Sequence, residues 1–120
     1  MSVMNEIEEY INSNAVVLFM KGTPEHPRCG FSAIAVKALT ACGENFSSVD
    51  ILAKPEIRAA LPIYGDWPSF PQVWANGELI GGGDIVSELN QNGELKRIIS
   101  AAVKNAKSSK VKADVMPSKL

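Results

Sequence analysis

The stretch Ala15-Val-Val-Leu-Phe-Met20, continued by Lys21-Gly-Thr-Pro-Glu-His-Pro-Arg-Cys29-Gly-Phe-Ser32, decides how this chain folds. Its first six residues are apolar and rich in β-branched side chains, the pattern of a strand buried on both faces. A loop with two prolines follows, bounded by the cations Lys21 and Arg28. From Ser32 to Cys42 the pattern becomes helical, and Gly43 is a natural C-cap. Asn45-Phe-Ser-Ser-Val-Asp-Ile51 supplies a second strand. Strand, helix, strand with short connections predicts a right-handed βαβ unit whose strands run parallel.

Outward from that unit, Met4, Ile7, Tyr10 and Ile11 recur at helical spacing, with Glu6, Glu8 and Glu9 on the other face. This predicts an amphipathic opening helix. Residues 54–61 read as a short helix beginning at Pro55, and Pro62, Pro68 and Pro71 as breaks in regular structure. Gln72-Val-Trp-Ala75 and Glu78-Leu-Ile80 flank Asn76-Gly77, a strong hairpin signal. Asp84 is expected to N-cap a helix over 85–89, and Leu95, Ile98, Ile99 and Val103 stripe a last one. The order predicts an α/β fold: a four-stranded mixed sheet flanked by helices on both faces.

A chain of 120 residues fits one domain, and two cysteines are too few for a disulfide scaffold. The expected organisation is one domain over 1–106 and a flexible Lys/Ser-rich tail over 107–120. Residues 1–103 hold 7 Lys and Arg against 12 Asp and Glu, a balance of −5. Residues 104–120 hold 5 Lys against 1 Asp, a balance of +4. That tail lacks the arginines and interleaved aromatics of a nucleic-acid arm, so no nucleic-acid partner is expected. No apolar run approaches the ~20 residues of a membrane span. The first ten residues carry three glutamates and no basic residue, unlike a signal or transit peptide. A cytoplasmic, reducing setting is the expectation.

Cys29 stands where a helix is expected to begin, so free backbone N–H groups and the helix dipole favour its thiolate. A cysteine on the first strand-to-helix turn of such a unit is where thioredoxin-like redox sites sit. In the dithiol version of that site a second cysteine lies three positions on; here that residue is Ser32. Cys42 follows at the far end of the same helix, about 20 Å along its axis at ~1.5 Å per residue. A disulfide needs Cα atoms within about 7 Å, so a continuous helix keeps Cys29 and Cys42 apart. Cys29 is left with an outside thiol, or with a metal to which it gives one ligand. Lys21 and Arg58 are candidate grips for carboxylates. Backbone groups around Phe70-Pro71 and the N–H groups at Gly83-Asp84 suit a peptide main chain and carboxylate.

The bland alternatives weigh differently at each position. Cys42 reads as an inert core thiol, His26 as an exposed loop residue, and Trp67 and Trp74 as packing residues. Taken singly, Lys21 and Arg58 are ordinary solvated charges, and the glycines at 81–83 a close-packed corner.

Cys29-Gly30-Phe31-Ser32 resembles the active-site signature of the monothiol, CGFS-type glutaredoxins, as do Lys21-Gly22, Trp67-Pro-Ser-Phe-Pro-Gln72 and Gly81-Gly-Gly-Asp-Ile85. These stretches stand in order across residues 4–103, in the pattern of single-domain bacterial-type members. The resemblance implies a thioredoxin-like fold, a cis Phe70–Pro71 bond, and glutathione held by Lys21, Arg58, Phe70, Gly83 and Asp84. It also implies a [2Fe-2S] cluster shared in a homodimer, each protomer giving Cys29 and one glutathione thiol, with BolA-type and iron–sulfur acceptor proteins as partners. Gly83 departs from the pattern, since family members often carry a cysteine or another small residue there. The expected function is cluster carriage; the rivals are glutathione-dependent removal of glutathione from mixed disulfides, and a pure adaptor surface.

Overall fold

The computed structural model places a central sheet in the order β2-β1-β3-β4. In chain order the elements are α1 (Val3–Ser13), β1 (Val16–Met20), α2 (Gly30–Ala41), β2 (Ser47–Asp50), α3 (Pro55–Gly65), β3 (Gln72–Ala75), β4 (Glu78–Gly81), α4 (Gly83–Gln91) and α5 (Glu94–Lys119). The backbone is described for residues 2–119 and side chains for residues 2–106, so the side chains of the tail expected at 107–120 lie outside the described residues. β1 and β2 are parallel, with Met20 opposite Asp50, while β3 runs antiparallel to β1 and pairs with β4 as a hairpin. The mixed four-stranded sheet predicted from the sequence is therefore present.

All five residues of β1 are buried, and the period of two sorts them between two layers. Val16, Leu18 and Met20 pack with Ala35, Leu39, Val86, Leu95 and Ile99 from α2, α4 and α5. Val17 and Phe19 pack with Ile7, Ile11, Ile57 and Leu61 from α1 and α3. One strand is thus the shared wall of both halves of the core. Truncating Phe19, which has no exposed surface, costs about 3–5 kcal/mol.

Two local expectations are corrected. α3 does not stop before Pro62 but carries it inside the helix, ending at Gly65. Proline removes the N–H that would bond the Arg58 carbonyl, and Arg58 is exposed, so water can satisfy that carbonyl. The last turn is then closed by the Trp67 N–H bonding to the Pro62 carbonyl at 3.1 Å, with Asp66 in the left-handed conformation. Asp84 is not the N-cap of α4. Gly82 takes that position in extended geometry, its carbonyl accepting from the Val86 N–H, and Asp84 lies in the first turn. A carboxylate is still favoured there by the helix dipole.

A candidate thiol site at the carboxyl end of β1

The topology gathers four chain segments at one end of the sheet. β1 exits at Met20 beside the end of β2, and β3 begins at Gln72 opposite Phe19. Gly81 at the end of β4 pairs with Val73, so α4 starts beside the entry to β3. The loop from Lys21 to Arg28, the start of α2, the Trp67–Pro71 turn and the start of α4 therefore share one edge.

Cys29 is the N-cap of α2, in extended geometry and half-buried. Its side chain makes no capping bond, and its carbonyl accepts from the Ala33 N–H at 3.0 Å. The N–H groups of the first turn have no partner within the helix and so are free to stabilise a thiolate. The Ser32 N–H holds the thiol below its ordinary pKa, helped by the Phe31 N–H, the Lys21 charge and the Ser32 hydroxyl, and opposed by partial burial.

Ser32 is fully buried, and its hydroxyl accepts the Lys21 N–H at 3.1 Å. The same group has its proton free to donate to the Cys29 thiolate. Read in the sequence only as the absence of a second thiol, Ser32 is in the structure a bridge between strand exit and nucleophile.

The loop is built tightly. Arg28 N–H donates to the Lys21 carbonyl at 2.8 Å, and Thr23 and His26 exchange backbone bonds within it. Gly22 sits at φ +92°, where an added Cβ would lie 2.5 Å from the His26 carbonyl oxygen, so only glycine fits. One oxygen of Asp50 accepts from the N–H groups of both Gly22 and Leu52 at 2.9 Å. This carboxylate fastens the Cys29 loop to the turn that leads into α3, and the sequence had given no reason to single it out.

Around the thiol, Gly83 is buried against the first turn of α2: a Cβ there would lie 3.0 Å from the Phe31 carbonyl oxygen. Its N–H stands at the open amino end of α4. Phe70 is half-buried, and its bond to Pro71 is cis, as the motif implied. Lys21 is half-buried at the strand exit, while Arg58 and Asp84 are exposed on the first turns of α3 and α4. Neither Lys21 nor Arg58 forms an ion pair among the described residues. His26 is exposed in the loop.

Cys42 is the C-cap of the same helix, buried, with its thiol donating to the Ala38 carbonyl at 3.4 Å. Burial pushes its pKa up, with Lys96 opposing and Glu44 assisting. Both cysteines are free. A cleft of about 620 Å³ lies at the other end of the sheet, lined by Asn14, Phe46, Asn76 and Asn105. It holds no thiol, no cation and no carboxylate, so the chemistry and not the concavity marks the site.

Residues 16–80 match the Glutaredoxin family. Glutaredoxin 4 of Buchnera aphidicola subsp. Schizaphis graminum is 56% identical over 107 residues, covering 89% of this chain and 100% of that protein. Glutaredoxin 4 of Escherichia coli K12 is 50% identical over 113 residues, covering 94% and 98%. Among solved structures, that of reduced poplar apo GrxS14 superimposes with a TM-score of 0.75 at 39% identity, covering 85% of this chain and 94% of that one. The fold is thioredoxin-like, the single thiol of Cys29-Gly-Phe-Ser32 stands at its first strand-to-helix turn, and the chain belongs to the glutaredoxin family.

Proposed function

We propose that the protein carries a [2Fe-2S] cluster in a glutathione-bridged homodimer and passes it to acceptor proteins. The observation that carries this reading is a thiolate-favouring Cys29 whose helix offers a buried hydroxyl, Ser32, where a resolving thiol would stand. Among the described residues no three His, Cys, Asp or Glu side chains stand together to hold a metal. A cluster whose two irons need four ligands beyond its sulfides fits two Cys29 thiolates and two outside thiols. Glutathione is the outside thiol the family uses. Its carboxylates would meet Lys21, Arg58 and the amino end of α4 at Gly83 and Asp84, and its main chain the Phe70 backbone. BolA-type proteins as further partners and a cytoplasmic setting rest on the family resemblance; no helix among the described residues is long and apolar enough to cross a membrane.

Anaerobic reconstitution with iron, sulfide and glutathione should give a coloured dimer, read by visible absorption and size. Equal cluster uptake by Cys29→Ser, or indifference to glutathione, would sink the proposal.

The lowered Cys29 pKa also supports a second reading, glutathione-dependent reduction of mixed disulfides. The Cys29 thiolate attacks the glutathione sulfur of a protein–glutathione disulfide and releases the protein thiolate. A second glutathione thiolate then attacks that sulfur in the Cys29 mixed disulfide, giving oxidised glutathione and free Cys29. Turnover of a glutathionylated substrate coupled to glutathione reductase separates the readings; substantial Cys29-dependent turnover favours the second.

A further inference from the structure

Besides Ser32, one polar side chain of the described residues is fully buried: Gln72, the first residue of β3. Burying an amide is unfavourable unless both of its ends are bonded. Here both are. Its Nε2 donates to the Trp67 carbonyl at 3.0 Å and to the Ser69 carbonyl at 3.4 Å, and its Oε1 accepts from Trp74 Nε1 at 3.1 Å. Trp74 is itself held in place, because Gly65 at the end of α3 lies so close that a Cβ there would stand 2.8 Å from the indole. The amide thus hangs the two carbonyls of the Trp67–Pro71 turn from a fixed point inside the sheet. On the outer side of the same turn, the Pro71 carbonyl lies 3.2 Å from where a Cβ of Gly82 would be, just before the start of α4.

We propose that Gln72 is a positioning residue for ligand binding: through Trp67 and Ser69 it sets the Phe70 backbone that meets glutathione, without touching the ligand or Cys29. The inference rests on the glutathione reading above. A carboxylate at position 72 keeps the shape but offers two acceptors to two carbonyl oxygens, so it repels the turn it should hold. A methionine keeps the volume and makes no bonds. The reactivity of Cys29 is set by the first turn of α2, a separate segment, and does not pass through this amide.

The test compares full-length protein with Gln72→Glu, Gln72→Met and Trp74→Phe. Glutathione affinity is measured by calorimetry, and Cys29 reactivity by its iodoacetamide alkylation rate across pH without glutathione. Gln72→Glu is expected to weaken glutathione binding at least tenfold and Gln72→Met about as much, while the alkylation midpoint stays in place. Trp74→Phe, which removes the bond to Oε1 together with the part of the indole packed against Gly65, should weaken binding threefold to tenfold. It serves if the substitutions at 72 do not fold. Binding within threefold of wild type in the folded variants overturns the inference, as does a loss of binding accompanied by an equal loss of Cys29 reactivity. If the wild-type protein binds no glutathione, the functional reading falls and the inference with it; if wild type binds and the variants bind equally, only the inference falls.

Discussion

The two ends of α2 carry the two cysteines, twelve residues of one helix between them, and treat the same side chain in opposite ways. At the amino end, unpaired N–H groups and Lys21 stabilise the anion, and the thiol pKa falls. At the carboxyl end the sulfur is buried in the core and donates its proton to a helix carbonyl, and the pKa rises. Helix polarity and burial, not the identity of the residue, separate a nucleophile from a core thiol. The cleft beside Asn14 and Asn76 and the reactive thiol likewise lie at opposite ends of the sheet.

Substitution breaks the comparison most directly. Cys29→Ser should reduce glutathione-dependent cluster uptake and disulfide exchange by more than 100-fold, since no other thiol reaches the site. Cys42→Ala should leave both within twofold, and reconstitution or coupled turnover checks the contrast. The next largest effect is expected at Gly22. Gly22→Ala places a Cβ against the His26 carbonyl at an unfavourable φ, costing about 2–3 kcal/mol in denaturant unfolding.

Ser32→Ala sharpens the comparison by removing one contributor at the amino end. It leaves the Lys21 N–H without its acceptor, which costs about 1–3 kcal/mol. It also removes a donor to the thiolate, so the pH midpoint of Cys29 alkylation should rise toward the ~8.5 of a free cysteine. Alkylation of wild type and variant across pH would show it, and an unchanged midpoint would remove Ser32 from the electrostatics of the site.

The smallest effect is in stability against pH, where the two ends should differ in sign. Cys29 has a folded pKa below its unfolded value, so its contribution is present above about 8.5 and is lost as pH falls through the folded value. Cys42 has a folded pKa above its unfolded value, so its contribution is present below about 8.5 and is lost as pH rises through the folded value. Cys29→Ser should flatten the first slope and Cys42→Ala the second. Solvent screening at the half-exposed Cys29 keeps its slope shallow. Unfolding midpoints in urea between pH 6 and 10 would resolve the pair.

Much of this molecule is legible without coordinates because its periodicities are strong. β1 could be recognised since a strand buried on both faces must be apolar throughout, and the βαβ unit followed from short connections. Cys29, too, was marked by chain order alone: the residue that opens a helix after a buried strand lies at a strand's carboxyl end. Where local sequence and tertiary environment disagreed, the tertiary environment won. Pro62 is a helix breaker by propensity, yet α3 runs through it because the carbonyl it leaves unbonded belongs to exposed Arg58 and the Trp67 N–H closes the final turn. Asp84 looked like a cap, but Gly82 took the capping geometry two residues earlier than expected.

What sequence could not supply was the set of side-chain bonds that tie one segment to another. Asp50 to Gly22, Ser32 to Lys21 and Gln72 to Trp67 are short-range in space and carry no periodic signature. Hydrophobic pattern fixes which face of an element is buried, because burial scales with apolar area and repeats with the backbone. A hydrogen bond depends on two atoms meeting within a few tenths of an ångström, and only the packed fold decides which atoms meet. The sequence by itself determined the element order, the mixed sheet and the single thiol at its edge. The tertiary structure decided that Ser32 serves that thiol, and that the turn facing it hangs from a buried amide.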